Sequence, residues 1–127
     1  MRIAAFVAVS LLAVIIVFQI ALALGAPLGE GAWGGQNEGV LPKRLRIASG
    51  VAAFMIYPLI VIAILGASDL IDVDLLRGKR GPLMWTFVGL FTLGGIANLV
   101  SRSTIERYWA GVSLAIAVCC AVIASAL

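Results

Sequence analysis

The chemistry open to this chain of 127 residues is set by six carboxylates, nine basic side chains, two adjacent cysteines and the absence of histidine. Without histidine, the commonest general base near neutral pH and the commonest metal ligand are both missing. A nucleophile–base pair is then hard to assemble. Cys119 and Cys120 are neighbours. Two thiols do not make a zinc site, and adjacent residues rarely close an unstrained disulfide, so the pair reads as small apolar side chains. Asp69, Asp72 and Asp74 have a spacing that suggests a cation site. The glycine and the distal glutamate of a calcium loop are missing, however. Interleaved with Leu70, Ile71, Val73, Leu75 and Leu76, the three acids read as part of an interfacial stretch, with their carboxylates in water. Ser103-Thr104-Ile105-Glu106 fits a capping box, which assigns Glu106 to a helix start near Thr104. Glu30 and Glu38 have no evident structural role and stay in reserve as carboxylates of an enzyme acting on lipid. No catalytic residue, cofactor or metal ion is assigned.

The elements that carry these residues follow from composition. The chain is 63% hydrophobic and 12% charged, about half the charge of an average soluble domain. Its apolar residues fall into four blocks, 3–24, 47–65, 83–100 and 108–127. Each suffices, or nearly so, for a bilayer core about 30 Å thick, which takes roughly 20 helical residues. Hydrocarbon requires every backbone polar group to be satisfied within its element, so the blocks are helices. The alternating pattern of a barrel is absent. The expected fold is an all-α membrane protein, one four-transmembrane-helix bundle with short loops. Arg2 and Ala21-Leu22-Ala23 give the first block some likeness to a signal peptide, but its apolar stretch is too long for a signal core. Pro58 predicts a kink in the second helix, and Pro42 and Pro82 fall where the second and third helices begin.

Loop one (25–46) and loop three (101–107) lie on one side of the membrane; loop two (66–82) and both termini lie on the other. Lys43, Arg44, Arg46, Arg102 and Arg107 stand on the first side against Arg2, Arg77, Lys79 and Arg80 on the second. Five against four does not decide the orientation, since the amino terminus adds a charge to the smaller set. Cytoplasmic loops one and three are the weakly favoured expectation, with dual insertion open. Every helix begins with basic residues, which is unfavourable beside a helix N-terminus unless an anion is bound there. Acidic phospholipid headgroups at both rims are one explanation, and plain topology anchors that snorkel to water are the other. Membrane lipids are the expected partners, and nucleic acid is not.

Two amides lie at membrane depth, Gln19 near the end of the first helix and Asn98 near the end of the third. Both are placed towards loops one and three, where Trp33, Arg46, Glu106 and Trp109 are their expected neighbours. The group reads either as a polar pocket or as an interhelical hydrogen bond. Ser113, Ala117, Ala121 and Ser125 recur at four-residue spacing, and Gly89, Gly94 and Gly95 add small positions on the third helix. Such stripes let helices approach closely, within the bundle or across a homo-oligomer. Small four-helix multidrug transporters depend on a glutamate in their first helix; here that helix offers only Gln19 and Ser10.

The segments Gly25-Ala26-Pro27-Leu28-Gly29, Trp33-Gly34-Gly35, Val40-Leu41-Pro42 and Leu45-Arg46, with Asn98-Leu99-Val100-Ser101, Glu106-Arg107 and Trp109, carry a resemblance. Over most of its length the chain resembles an uncharacterised group of small four-helix bacterial integral membrane proteins. The resemblance implies a multi-pass protein of the bacterial cytoplasmic (inner) membrane and brings no activity with it. The expected function is non-enzymatic, as a lipid-binding protein or the accessory subunit of a larger membrane complex. A small homo-oligomeric transporter or channel is the first alternative and a lipid-modifying enzyme the second.

Overall fold

In a computed structural model that describes all 127 residues, the chain forms four long helices and no strand. They are α1 (Arg2–Ala23), α2 (Lys43–Ala67), α3 (Arg80–Leu99) and α4 (Thr104–Ser125), each long and apolar enough to cross a membrane. A helix of 22 residues spans about 33 Å, which matches the hydrocarbon thickness. The chain is a multi-pass integral membrane protein, a four-helix bundle. All four helices begin before their apolar blocks: α1 at Arg2 instead of 3, α2 at Lys43 instead of 47, α3 at Arg80 instead of 83, and α4 at Thr104, the start expected from its cap, instead of 108. Apolar content marks only the part of a helix in hydrocarbon. The first turn, with its unpaired N–H groups, stays in the wet interface, where basic side chains are solvated.

Local sequence explains the ends and the interruption. Ser103 is the N-cap of α4, its Oγ accepting from the Glu106 N–H at 3.3 Å. Pro42 is the N-cap residue of α2, and Pro82 lies in the first turn of α3. Pro58 has no N–H to give to the carbonyl four residues back. The helix answers with a π turn over Ala52–Ile56, in which the Tyr57 N–H reaches back five residues to the Ala52 carbonyl. The expected kink at Pro58 is thus a widened turn just before it, one of the recognised ways a helix absorbs such a break.

Packing is uneven along the bundle. α1 lies against α2 and α4, and α3 lies along α4; of the helix pairs that pack together, α2 and α3 touch least, chiefly through the Tyr57–Ala67 part of α2. Leu12, Ile64, Met84, Phe87, Ile116 and Ile123 anchor the main core, joined by Ala5, Ala8, Cys119 and Cys120. All of these come from the helix halves nearest loop two. At the opposite end only Leu22, Ala32 and Leu41 form a buried apolar cluster, closed by Phe18 and Leu45.

The small-residue stripe is only partly used. Ser113 and Ala117 are buried, Ala121 is half-buried and Ser125 is exposed. Gly89, expected to pack, is exposed, and a Cβ there would meet nothing within 4 Å. The close approach falls at Gly95, where a Cβ would stand 2.7 Å from Leu114. The reason is geometric: α3 turns the Gly95 side to α4 and presents Gly89 to the membrane. Gly95→Val should therefore cost about 1–3 kcal/mol through overpacking, whereas Gly89→Val should stay within about 0.5 kcal/mol of the parent. Thermal melting of the two variants in one detergent checks the difference.

Candidate functional site

Loop one is folded. Its short 3-10 turns, Gly29–Gly31 and Trp33–Gly35, cover the loosely packed end of the bundle. The Gly29 N–H closes the loop on the Gly39 carbonyl at 2.8 Å. The Trp33 indole N–H donates to Ser49 Oγ at 3.0 Å, which ties the loop to α2. Trp33 holds a left-handed φ of 53°, a conformation that costs a non-glycine residue on the order of 1–3 kcal/mol and persists only where its surroundings fix it.

Glu106 holds the loop from the other side. Its side chain is buried and accepts from the Gly34 N–H at 3.1 Å and from the Ser101 hydroxyl at 2.6 Å. Here the capping-box reading needs correction. Ser103 does cap α4, but Glu106 does not return to the Ser103 N–H, which donates to Ser101 Oγ at 3.1 Å. The carboxylate is spent across the end of the bundle, joining loops one and three. Gly35 makes the approach possible: its φ is 69°, and a Cβ would lie 2.7 Å from Ser103 Cβ. No basic side chain pairs with Glu106; the ion pairs of the chain are Arg77–Asp74 and Arg80–Asp69, both in loop two and at the start of α3.

Beneath this clasp lies a cavity of about 440 Å³, the size of a small-molecule pocket. Its apolar wall comes from Ile15 and Phe18 of α1, Ala52, Ile56 and Ile60 of α2, and Leu90 and Phe91 of α3. Its polar groups are Gln19, Trp33, Tyr57, Asn98, Glu106, Trp109 and Ser113. From Leu90 to Asn98 it runs about 12 Å along α3, from mid-membrane to the end covered by loop one. Ile56 and Leu90 are 51% and 58% exposed and stand on two neighbouring helices that are only loosely packed together, so the mouth opens sideways between α2 and α3. The rings of Phe18 and Trp109 pack with centroids 4.8 Å apart and planes tilted by 40° across the α1–α4 side.

Of the six residues expected to form a polar pocket, Gln19, Trp33, Asn98, Glu106 and Trp109 line this cavity and Arg46 does not. Arg46 turns to the end of α1, its Nε donating to the Ala23 carbonyl at 3.4 Å, where a cation suits the helix dipole. No hydrogen bond joins Gln19 to Asn98, and Gln19 Oε1 is buried without a partner. Tyr57 and Ser113 were not foreseen here. Ser113, read as a small packing residue, donates to the Phe91 carbonyl at 2.7 Å and fixes α4 against α3 beside the cavity.

The basic rim residues divide into two groups. Arg77 pairs with Asp74 at 3.1 Å and Arg80 with Asp69 at 2.8 Å. Arg107 donates to the Ser101 carbonyl and to Thr104 Oγ1. Lys43, Arg44, Lys79 and Arg102 are exposed and free of carboxylates within 4.0 Å.

Comparison with known proteins returns no match to a family model, a curated protein or a solved structure. The site is accordingly read from its own geometry. Glu106→Ala leaves the Gly34 N–H and the Ser101 hydroxyl without their acceptor, at about 1–3 kcal/mol. Amide exchange over 31–41 should then rise roughly tenfold or more, while exchange around Leu12, Ile64 and Ile116 stays unchanged. Hydrogen-exchange mass spectrometry in detergent or nanodiscs reads both regions at once.

Proposed function

We propose that the protein is a non-enzymatic, lipid-binding membrane protein, resident in a bacterial cytoplasmic membrane, that holds an amphiphile in the cavity between α2 and α3. One observation carries this reading. The cavity is mainly apolar towards mid-membrane, where Tyr57 and Ser113 are its polar groups and the Ser113 hydroxyl donates to the Phe91 carbonyl. It gathers Gln19, Trp33, Asn98, Glu106 and Trp109 at the end under loop one, and opens sideways where α2 and α3 part. That polarity gradient matches a molecule with an apolar chain and a polar end. Its entry through a lateral mouth keeps the chain in hydrocarbon throughout, which avoids the cost of exposing apolar surface to water. Gln19 adds a demand of the same kind, since a buried carbonyl oxygen without a donor costs about 1–3 kcal/mol.

A channel or carrier needs a polar path from face to face. Within one chain the loop-two half is filled by Leu12, Ile64, Met84, Phe87, Ile116 and Ile123, which favours a blind pocket over a conduit. Enzymatic turnover has little to draw on: Glu30 and Glu38 are exposed and do not line the cavity, and Glu106 is engaged by two donors. At the rims, Lys43, Arg44 and Arg102 beside loop one and Arg2 and Lys79 on the loop-two side are exposed cations without an ion pair, free to meet acidic phospholipid. A phosphate contact there is an annular one, separate from the cavity.

The cavity can be filled from within. A Cβ at Gly94 has only Ser113 Oγ nearby, at 3.6 Å, and a leucine there would project into the space. Purified in mild detergent, the parent should carry a single-chain or double-chain lipid detectable by native mass spectrometry. Gly94→Leu should lose at least nine-tenths of it with unchanged melting. Equal lipid in both, or none in the parent after mild extraction, would overturn the assignment of the cavity.

A further inference from the structure

The polar end of the cavity has a sign. Among its lining residues Glu106 is the one ionisable carboxylate, and there is no lysine or arginine. Glu106 is 5% exposed, and no cation of the chain comes within 4.0 Å of it. Both of its recorded partners, the Gly34 N–H and the Ser101 hydroxyl, stand as neutral donors to it. A buried carboxylate served only by neutral donors keeps most of its desolvation cost, and a carboxylate has room for further donors beyond two. Trp33, Trp109 and Tyr57 line the same cavity, and aromatic faces attract cations, most strongly where water is excluded.

On these grounds, and resting on the amphiphile reading above, we infer that the cavity selects an amphiphile whose polar end is an ammonium group, held by Glu106 and the aromatic rings. The choice runs against the protein as a whole. Its net charge is +3, and its free surface cations favour anions at the rims. Head-group selection for a cation therefore has to come from the cavity itself. The basic rim and the acidic pocket then take opposite charges at the same end of the molecule.

The test uses three probes with one chain length and different ends: dodecylammonium, dodecyl sulfate and dodecanol. Each is titrated below its micellar range into the full chain in nanodiscs of zwitterionic lipid. Binding is measured by equilibrium dialysis, with the filled-cavity variant Gly94→Leu subtracted. A Trp85→Phe background leaves Trp33 and Trp109 as a fluorescence check, since Trp85 does not line this cavity. The expected result is at least tenfold tighter binding of the ammonium than of the sulfate, falling below threefold in Glu106→Gln. Retained dodecanol binding in Glu106→Gln shows that the cavity is intact in that variant. Should Glu106→Gln lose dodecanol as well, the parent's head-group order decides alone. Sulfate or alcohol binding as tightly as the ammonium would overturn this inference and leave the amphiphile reading standing. An ammonium preference that survives in an intact Glu106→Gln variant would also overturn it. No probe binding above the filled variant would overturn the amphiphile reading itself.

Discussion

In hydrocarbon a backbone amide has no water to turn to, and that constraint governs the architecture from end to end. It makes the apolar blocks into helices, confines irregular chain to the two surfaces, and leaves a proline in mid-helix as a debt that nearby backbone must settle. α2 meets it with the π turn at Ala52–Ile56, where the Tyr57 N–H reaches the Ala52 carbonyl. Ala52, Ile56 and Tyr57 then line the cavity. The break imposed by Pro58 and the space between α2 and α3 are thus in the same stretch of chain. A helix interruption of this kind is tolerated where it borders a cavity.

The same constraint explains why loop one is built as it is. Its backbone covers a polar space at the membrane boundary, so its N–H groups need partners supplied by design. Glu106 serves the Gly34 N–H, the Gly39 carbonyl takes the Gly29 N–H, and Ser49 takes the Trp33 indole. A left-handed Trp33 between these ties is affordable because each neighbour is fixed. The loop-two half needs no such device, because alanine, cysteine and branched aliphatic side chains fill it directly.

How much of this was legible in the sequence depends on range. Helix number and approximate span follow from the lengths of apolar runs, which are local. The Ser103 cap is local too and was read correctly. The destination of the Glu106 carboxylate was not, because its partner Gly34 is 72 residues away and becomes a neighbour only through the fold of loop one. Gln19, Asn98, Trp33 and Trp109 were placed at one end by counting residues from helix termini, and the structure brings them to one cavity. Tyr57 carries no local mark, because a tyrosine in an apolar run faces lipid or a cavity according to tertiary geometry alone. Gly89 misled for a simpler reason: small residues mark where helices are able to meet, and only tertiary geometry says which of them do.

Uneven packing along the bundle has a consequence for the leaflet from which the proposed amphiphile is drawn. The space under loop one stops at mid-membrane, where Leu12, Phe87 and Ile116 close the interior. Anything entering sideways between α2 and α3 therefore arrives from one leaflet, and the composition of the other leaflet is invisible to it. With basic residues split almost evenly between the two sides, the cavity of a population inserted in a single direction would face one leaflet, and that of a mixed population would face both.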